Sequence, residues 1–424
     1  MYIQLTRIKD LLKTDTFKQS LITFSGTIIN GVLGIVFMIL AARYLGPSKL
    51  GLFTISIAVL TLVADIADLG VDTGLVRFVG KYSTSKPKLA LSYLKLGLQI
   101  KTLIGIIIVF IGFLISGYLS DVVFGKPELF IPLRLAFVGV LGALLYSFVT
   151  HTLQAYQRFI SWSALMISTN GIRLGLLLLI AAFGVLQVDS ILIIYILMPM
   201  LGFVAGLFII PYFLAAKVSK ASKKDFFHYN KWVAAMTAVA AASSRLDVFI
   251  SARFLELDQV GIYSAANQLV QVVPQIVAAF GTVIAPKMAS MDTVDKMISY
   301  LKKTQALVGG VSLLGFIGIP FAFFFFPAFY GASYVSSIPI FIVLLIAMLI
   351  FLFAVPIHNA IFYYFSYPKL FFYLAIGHFI IIATSGLFFI SQFGAIGAAI
   401  SVLIGSIFNF VVPTAWVIYK IKTK

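Results

Sequence analysis

The sequence contains no cysteine, which excludes disulfides, thiol catalysis and cysteine-ligated metal sites. Charged side chains are also scarce, at 11% of the 424 residues. No Walker A sequence, HExxH motif or nucleophile elbow occurs, and the four histidines are scattered. These absences predict a protein that is not an enzyme, has no ATP-driven cycle, and carries no catalytic residue, metal or cofactor.

Long apolar stretches dominate what remains. Hydrophobic residues make up 61% of the chain and the mean hydropathy is +1.08, more apolar character than a soluble domain can bury. A membrane-spanning helix needs about 20 mostly apolar residues. We therefore predict an all-α, polytopic membrane protein with twelve transmembrane helices, at 19–42, 50–73, 90–119, 129–153, 160–185, 190–215, 228–251, 259–286, 303–328, 335–363, 369–391 and 394–419.

The positive charge of the chain is explained by membrane topology. There are 31 Lys and Arg residues against 14 Asp and Glu. Most of the basic residues lie before helix 1, between helices 2 and 3, between the two halves, after helix 8 and at the C-terminus, all on one side of the membrane. Loops rich in Lys and Arg stay in the cytoplasm. The sequence thus predicts a multi-pass protein of the cell membrane with both termini cytoplasmic, and no nucleic-acid partner.

The chain also repeats itself at an offset of 210 residues. Residues 42–45 (ARYL) correspond to 252–255 (ARFL), and 51–54 (GLFT) correspond to 261–264 (GIYS). Two like halves of six helices each enter the membrane in the same orientation, and such halves usually enclose a transport path. The predicted division is a cytoplasmic N-terminal segment 1–18, an N-lobe 19–216, a cytoplasmic linker 217–227, and a C-lobe 228–424 with a short basic tail.

Once the basic residues of the loops and helix ends are assigned to one side of the membrane or the other, three remain inside predicted helices, namely Lys101, Arg173 and Arg245. A bare cation near the middle of the bilayer costs at least about 2.5–3.5 kcal/mol, so each should face a partner or a wet cavity. Two interpretations follow. The three cations line a substrate cavity, or they form internal ion pairs, such as Arg245 with Asp247 or Lys101 with a carboxylate of helix 2.

Helix 2 carries Asp65, Asp68 and Asp72 at steps of three and four residues, which places them on one face of a continuous helix. Such an acidic stripe avoids lipid. It predicts ion pairing with Lys101 or Arg173, binding of a coupling Na⁺ or H⁺, or hydrogen bonds to sugar hydroxyls. Asp65 and Asp68 are predicted to be the main coupling pair, and Asp72 is predicted to be more solvated because it lies nearer the cytoplasmic end.

Helix 8 shows the same spacing in amide side chains, at Gln268, Gln271 and Gln275. Amides inside a membrane either hydrogen-bond a sugar or join neighbouring helices. Pro274 predicts a kink or local unwinding beside Gln275.

Two segments carry a family resemblance. Residues 41–82, beginning AARYLGPSKLG, and residues 245–271, RLDVFISARFLELDQVGIYSAANQLVQ, resemble matching segments of polysaccharide flippases. These flippases belong to the multidrug/oligosaccharidyl-lipid/polysaccharide exporter superfamily, and the resemblance covers essentially the whole chain. It implies two pseudo-symmetric six-helix lobes that form a V around a central cavity. It also implies a flippase that moves an isoprenoid-diphosphate-linked oligosaccharide from the cytoplasmic to the external leaflet by alternating access, for cell-surface glycan assembly.

The cavity of this family is typically cationic and suits a diphosphate. The predicted substrate-binding residues are Lys101, Arg173, Arg245, Asp247, Gln268, Gln271 and Gln275, and the ion-coupling candidates are Asp65, Asp68 and Asp72. Besides the lipid-linked glycan, the expected partners are membrane lipids and glycan-assembly enzymes.

Two rival functions stay open at this point. A cation-coupled multidrug exporter of the same superfamily would need mainly acidic and aromatic pockets, which the three intramembrane cations disfavour. A membrane glycosyltransferase or polymerase of the same pathway would need a sizeable external loop with catalytic residues, whereas the predicted external loops are short.

The topology can be tested with single cysteines, because the natural chain has none. We expect Lys220→Cys, in the basic segment between the halves, and Ser333→Cys, between helices 9 and 10, to react with a membrane-impermeant thiol reagent from opposite sides. Labelling of both positions from outside would disprove the predicted topology.

Overall fold

A computed structural model describes residues 15–184, 186–218 and 220–423, so most of the predicted segment 1–18 lies outside the described residues. The described residues form fifteen α-helices: α1 (Asp15–Ala67), α2 (Val71–Tyr82), α3 (Pro87–Tyr118), α4 (Phe130–Ala155), α5 (Phe159–Ala182), α6 (Val188–Leu207), α7 (Lys220–Ser243), α8 (Leu246–Phe254), α9 (Leu257–Val270), α10 (Val272–Ala289), α11 (Val294–Gly315), α12 (Gly318–Phe325), α13 (Ser337–Asn359), α14 (Lys369–Phe393) and α15 (Ala395–Lys422).

The prediction of an all-α, polytopic membrane protein is confirmed. Within the described ranges, ten helical segments are long and apolar enough to span a membrane, or eleven if the bent pair α7–α8 counts as one span. The first of these segments, Ile22–Ala67, is itself two helices joined at a kink at Gly46. Counting its two parts separately gives the twelve predicted helices.

Helix breaks explain where the structure departs from the predicted spans. Gly46, with φ 73°, precedes Pro47 and divides α1, because a residue before proline disfavours the helical conformation. The predicted helix 228–251 instead bends by 43° between α7 and α8, at a pair of serines, a common site of kinks. The kink or local unwinding predicted beside Gln275 is found as a one-residue interruption at Gln271, between α9 and α10, while Gln275 itself lies inside α10. α7 begins at Lys220, inside the predicted linker.

The backbone shows the internal repeat directly. A π-helical turn follows the third helix of each half, at Leu119–Val123 and Phe326–Tyr330. Left-handed residues also recur at matching places, in the pairs Gly125 and Gly331, Gln157 and Ser366, and Gly184 and Gly394. The predicted repeat is therefore a structural repeat, in which both copies use the same turns.

The chain forms two compact units. Unit 1 comprises the described residues up to Tyr44 together with Ser56–Ala241, and unit 2 comprises Leu45–Ile55 together with Ala242–Lys424. Most of α7 thus belongs to unit 1, although it follows the first six helices in sequence. The main apolar core of unit 1 joins α2, α3 and α4 with Phe226 of α7, which is fully buried. The predicted lobe boundaries are drawn from the sequence repeat and remain a prediction.

Unit 2 contains a reciprocal contact between repeat-equivalent glycines. A Cβ atom on Gly51 would overlap the carbonyl oxygen of Leu257, and a Cβ atom on Gly261 would overlap the carbonyl oxygen of Pro47. Gly51 and Gly261 are related by the repeat, and so are Pro47 and Leu257. Only residues without a side chain allow the two backbones to approach so closely, as at other small-residue helix contacts in membranes.

Adding one methyl group at either glycine should therefore weaken unit 2. We expect Gly51→Ala and Gly261→Ala each to lower the free energy of unfolding by about 1–3 kcal/mol, because the contacting atom belongs to the backbone and cannot rotate away. The measurement is the thermal unfolding midpoint of the purified protein in detergent. The matched control is Gly34→Ala in α1, where a Cβ atom meets nothing within 4 Å. Equal midpoints for all three variants would contradict the close contact.

Candidate functional site

Lys101 lies at the centre of a buried ion cluster in unit 1. Its side chain, in the middle of α3, has no exposed surface. Its Nζ atom is 2.6 Å from Asp68 Oδ1, 2.8 Å from Asp72 Oδ1, and 2.6 Å from Ser147 Oγ, to which it donates a hydrogen bond. The structure therefore gives Lys101 the internal ion pair with helix-2 carboxylates that the sequence left open as one of two interpretations.

A break in the helix brings the two carboxylates together. The chain leaves the helical conformation at Leu69 and Gly70, with φ values of 49° and 73°, and α2 starts at Val71. Asp68 precedes this new helix, and its carboxylate accepts from the backbone N–H of Asp72 at 3.3 Å. An acidic side chain is favourable at a helix N-terminus because the first N–H groups have no partner inside the helix.

Because of this break, the prediction that Asp65, Asp68 and Asp72 lie on one face of a continuous helix is wrong. The prediction assumed one continuous helix, with Asp65 and Asp68 as the closer pair. In the structure Asp65 is exposed, in the last turn of α1, whereas Asp68 and Asp72 both contact Lys101. The one-face spacing rule fails because it requires regular helix across residues 68–70.

Ser147 and His151, one turn apart on α4, complete the cluster. His151 Nδ1 lies 3.3 Å from Asp72 Oδ1 and 2.9 Å from the carbonyl oxygen of Ser147. With neutral His151, the cluster holds one ammonium and two carboxylates, so a proton on His151 would balance its charge. Neither residue was among the predicted site residues, although their spacing of four in an apolar helix is a usable signal.

Arg173, on α5, has different surroundings in the same unit. Its guanidinium lies 4.2 Å from the ring centroid of Tyr195, and Nη2 donates to the carbonyl oxygen of Tyr195 at 3.4 Å. Its Nε atom is buried and has no hydrogen-bond partner. Among the described residues, no carboxylate forms a salt bridge with Arg173, in contrast to Lys101.

Arg173 lines a cavity of about 250 Å³ in unit 1. The polar part of its wall is neutral: Thr61, Tyr146, Thr169, Asn170 and Tyr195. Two hydrogen bonds order this wall, from Tyr146 to Thr169 Oγ1 at 3.3 Å and from Asn170 Nδ2 to Asn30 Oδ1 at 2.5 Å. These neighbours were not among the predicted site residues, although the spacing of three between Asn170 and Arg173 places these two residues on one face of a helix.

The other five predicted substrate-binding residues belong to unit 2. Arg245 precedes α8 as its N-cap, and Asp247 in the first turn accepts a hydrogen bond from the hydroxyl of the fully buried Tyr263. Gln271 stands at the break between α9 and α10 and donates to Asn267 Oδ1 at 3.2 Å. Gln268 is half-buried and Gln275 is exposed.

The solved structures that resemble this chain are membrane transporters. The lipid II flippase MurJ in an inward closed conformation aligns with a TM-score of 0.74 at 15% identity, over 94% of this chain and 87% of that one. An inward-facing multidrug resistance MATE family transporter of the MOP superfamily aligns with a TM-score of 0.73 at 15% identity, over 95% and 98%. A MOP superfamily transporter from Pyrococcus furiosus Vc1 gives 0.64 at 13% identity, over 97% of both chains. At these identities the likeness shows a shared fold.

The sequence comparisons define the family. No curated protein matches the chain. The sequence profile described as "Polysaccharide biosynthesis protein" matches residues 16–292, which is more than half of the chain. The resemblance stated from the sequence is confirmed, and the chain belongs to this polysaccharide biosynthesis protein family.

Proposed function

We propose that the protein is a flippase that moves an isoprenoid-diphosphate-linked oligosaccharide from the cytoplasmic to the external leaflet of the cell membrane by alternating access. Family membership supports a role in polysaccharide biosynthesis, and the fold is shared with a lipid II flippase. The observation that carries the proposal is the cavity of unit 1, which is lined by Arg173, a half-buried arginine whose buried Nε has no hydrogen-bond partner and which has no carboxylate partner among the described residues.

The cavity suits the charged linker of such a substrate. Its volume of about 250 Å³ is below the usual range of about 300–1,000 Å³ for pockets that enclose a whole ligand. It therefore fits a phosphate group with part of one sugar. Arg173 would bind a phosphate oxygen through charge-assisted hydrogen bonds, and the neighbouring amide and hydroxyl groups would orient the group. The isoprenoid tail would stay in the bilayer.

The wall of this cavity disfavours a drug exporter that binds cations. It contains no Asp or Glu, and its one charged residue is basic. A cationic drug would meet Arg173 at close range in a medium of low dielectric constant, where like charges repel strongly. We therefore retain Arg173 as the main anion contact in unit 1 and keep Arg245, Asp247, Gln268, Gln271 and Gln275 as candidates in unit 2.

Ion coupling, which the sequence assigned to Na⁺ or H⁺, is part of the same proposal. The ammonium of Lys101 already stands between Asp68 and Asp72, where a bound Na⁺ would need the same carboxylate oxygens. We therefore propose H⁺ as the coupling ion, with the cluster as its site. His151 is the imidazole of this group, with Nδ1 3.3 Å from Asp72 Oδ1.

The substrate contact can be tested by removing one charge. We expect Arg173→Gln to slow flipping of a fluorescent lipid-linked oligosaccharide in proteoliposomes by about tenfold to a hundredfold, because a charged hydrogen bond contributes about 1.5–3 kcal/mol. Arg173→Lys should retain part of the rate. The matched control is Arg43→Gln, which removes an exposed arginine of unit 1.

The proposal for Arg173 predicts normal amounts of folded protein in the membrane. If Arg173→Gln is instead lost from the membrane, the arginine has a structural role. If Arg43→Gln slows flipping as much, the loss reflects total charge and not the cavity.

The coupling proposal predicts that an imposed pH gradient changes the flipping rate of the wild-type protein and that a Na⁺ gradient does not. His151→Gln and Asp72→Asn should abolish the response to pH, because they remove the proton site or its partner. His228→Gln, at an exposed position of α7, should leave the response intact. Wild-type flipping that ignores both gradients, or that follows Na⁺ alone, would refute H⁺ coupling.

A further inference from the structure

The internal repeat gives each unit an equivalent position between the second and third helices of its half, where a cleft can form. In unit 1 the cleft lies between α2 and α3, and in unit 2 it lies between α10 and α11. In the third helix of each half the offset is 207, as the π-helical turns that begin at Leu119 and Phe326 show, so Tyr93, the seventh residue of α3, corresponds to Tyr300, the seventh residue of α11. Arg77 of α2 corresponds to Lys287 of α10 through the offset of 210. The two clefts thus start from the same pair of residue types, a cation and a tyrosine.

The cleft of unit 1 is filled by α7. The buried ring of Phe226 lies 5.8 Å from the ring of Tyr93. Tyr229 lies beneath the guanidinium of Arg77, 4.5 Å from its ring centroid to Cζ. Asn230 is also buried, and its side chain would collide with a Cβ atom on Gly74. A helix with aromatic and amide side chains therefore seals this site.

The cleft of unit 2 is open, with a volume of about 500 Å³. Its longer wall is apolar, formed by Ala279, Phe280, Val283, Ile284 and Leu307. Val283 and Leu307 are 71% and 59% exposed. In a bilayer such a surface is covered by acyl chains, because apolar side chains and lipid tails are equally excluded from water.

The other end of this cleft is basic. Lys287, in the last turn of α10, holds its ammonium 5.1 Å from the ring centroid of Tyr300. Lys303 and Thr304 complete the lining. Lys303 is the tenth residue of α11, and the tenth residue of α3 is Leu96, which is buried. Thr304 donates its hydroxyl proton to a backbone carbonyl, so the lysines supply the free donors.

We propose that this cleft binds one anionic glycerophospholipid of the bilayer. An acyl chain lies along the apolar wall, and the phosphate sits between Lys287 and Lys303. Lys303, in place of the buried Leu96, distinguishes the site from its counterpart in unit 1. An entirely apolar helix face over this cleft would bury the ammonium of Lys303 without a counter-charge, which is costly, whereas a phosphate neutralises it. Clusters of lysine at the end of a membrane helix attract anionic lipid in the same way.

The test uses the full-length protein and a lipid of known charge. Native mass spectrometry of the purified protein, titrated with phosphatidylglycerol against a phosphatidylcholine background, should show one tightly bound phosphatidylglycerol. The variant Lys287→Gln with Lys303→Gln should bind it about thirtyfold more weakly, since each lysine near the surface contributes about 1 kcal/mol. The matched control, Lys296→Gln with Lys302→Gln, removes the same charge from exposed positions outside the cleft and should bind as the wild type does.

Two outcomes would overturn the proposal. Equal weakening in both double variants would show that general surface charge attracts the lipid. A photo-crosslinking side chain at Val283, activated in native membranes, should capture a lipid adduct. Capture of a protein band instead would show that a helix covers the cleft.

Discussion

A charge inside a membrane protein must meet a counter-charge, a polar cavity or water, and unit 1 satisfies this constraint in two ways. Lys101 is held by two carboxylates and a serine hydroxyl, and no ligand is needed to stabilise it. Arg173 has aromatic rings, a carbonyl oxygen and a neutral polar wall around it. The Lys101 cluster would be electrically neutral with one additional proton. Arg173, by contrast, has no carboxylate partner among the described residues. This difference is why we propose a coupling role for the Lys101 cluster and a substrate-binding role for Arg173, although both residues are cations inside apolar helices.

The repeat supplies a shared backbone on which the two halves diverged. Equivalent turns recur in both copies, and the reciprocal contacts of Gly51 and Gly261 use the same geometry twice. The side chains differ where a local partner differs. In unit 1 the cleft beside Tyr93 is sealed by Phe226, whereas the cleft beside Tyr300 stays open and has a lysine in place of a buried leucine. The repeat therefore determines where an equivalent site can form, and single residue differences between the halves change the chemistry of that site.

Much of the fold was predictable because long apolar runs and a fixed offset are strong signals. The membrane class, the helices and the repeat follow from them. The candidate site was predicted less well. Arg173 was identified as an intramembrane cation, but three of its five polar neighbours come from three other helices. The pairing of Asp68 with Asp72 depends on the left-handed conformation of Leu69, which helical spacing does not reveal. Leucine rarely adopts that conformation, so residue type gave no warning.

The chain passes between the two units at three places, and these places differ physically. The borders at Tyr44–Leu45 and Ala241–Ala242 lie within a few residues of helix breaks, at Gly46 and at the bend between α7 and α8. The border at Ile55–Ser56 lies inside the unbroken second part of α1. Backbone rotation is cheap at a break, where the ladder of helical hydrogen bonds is already interrupted, and expensive within a helix. The chain can therefore change its backbone angles most cheaply near Gly46 and at the bend between α7 and α8, whereas the second part of α1 runs without a break to Ala67, next to Asp68 of the Lys101 cluster.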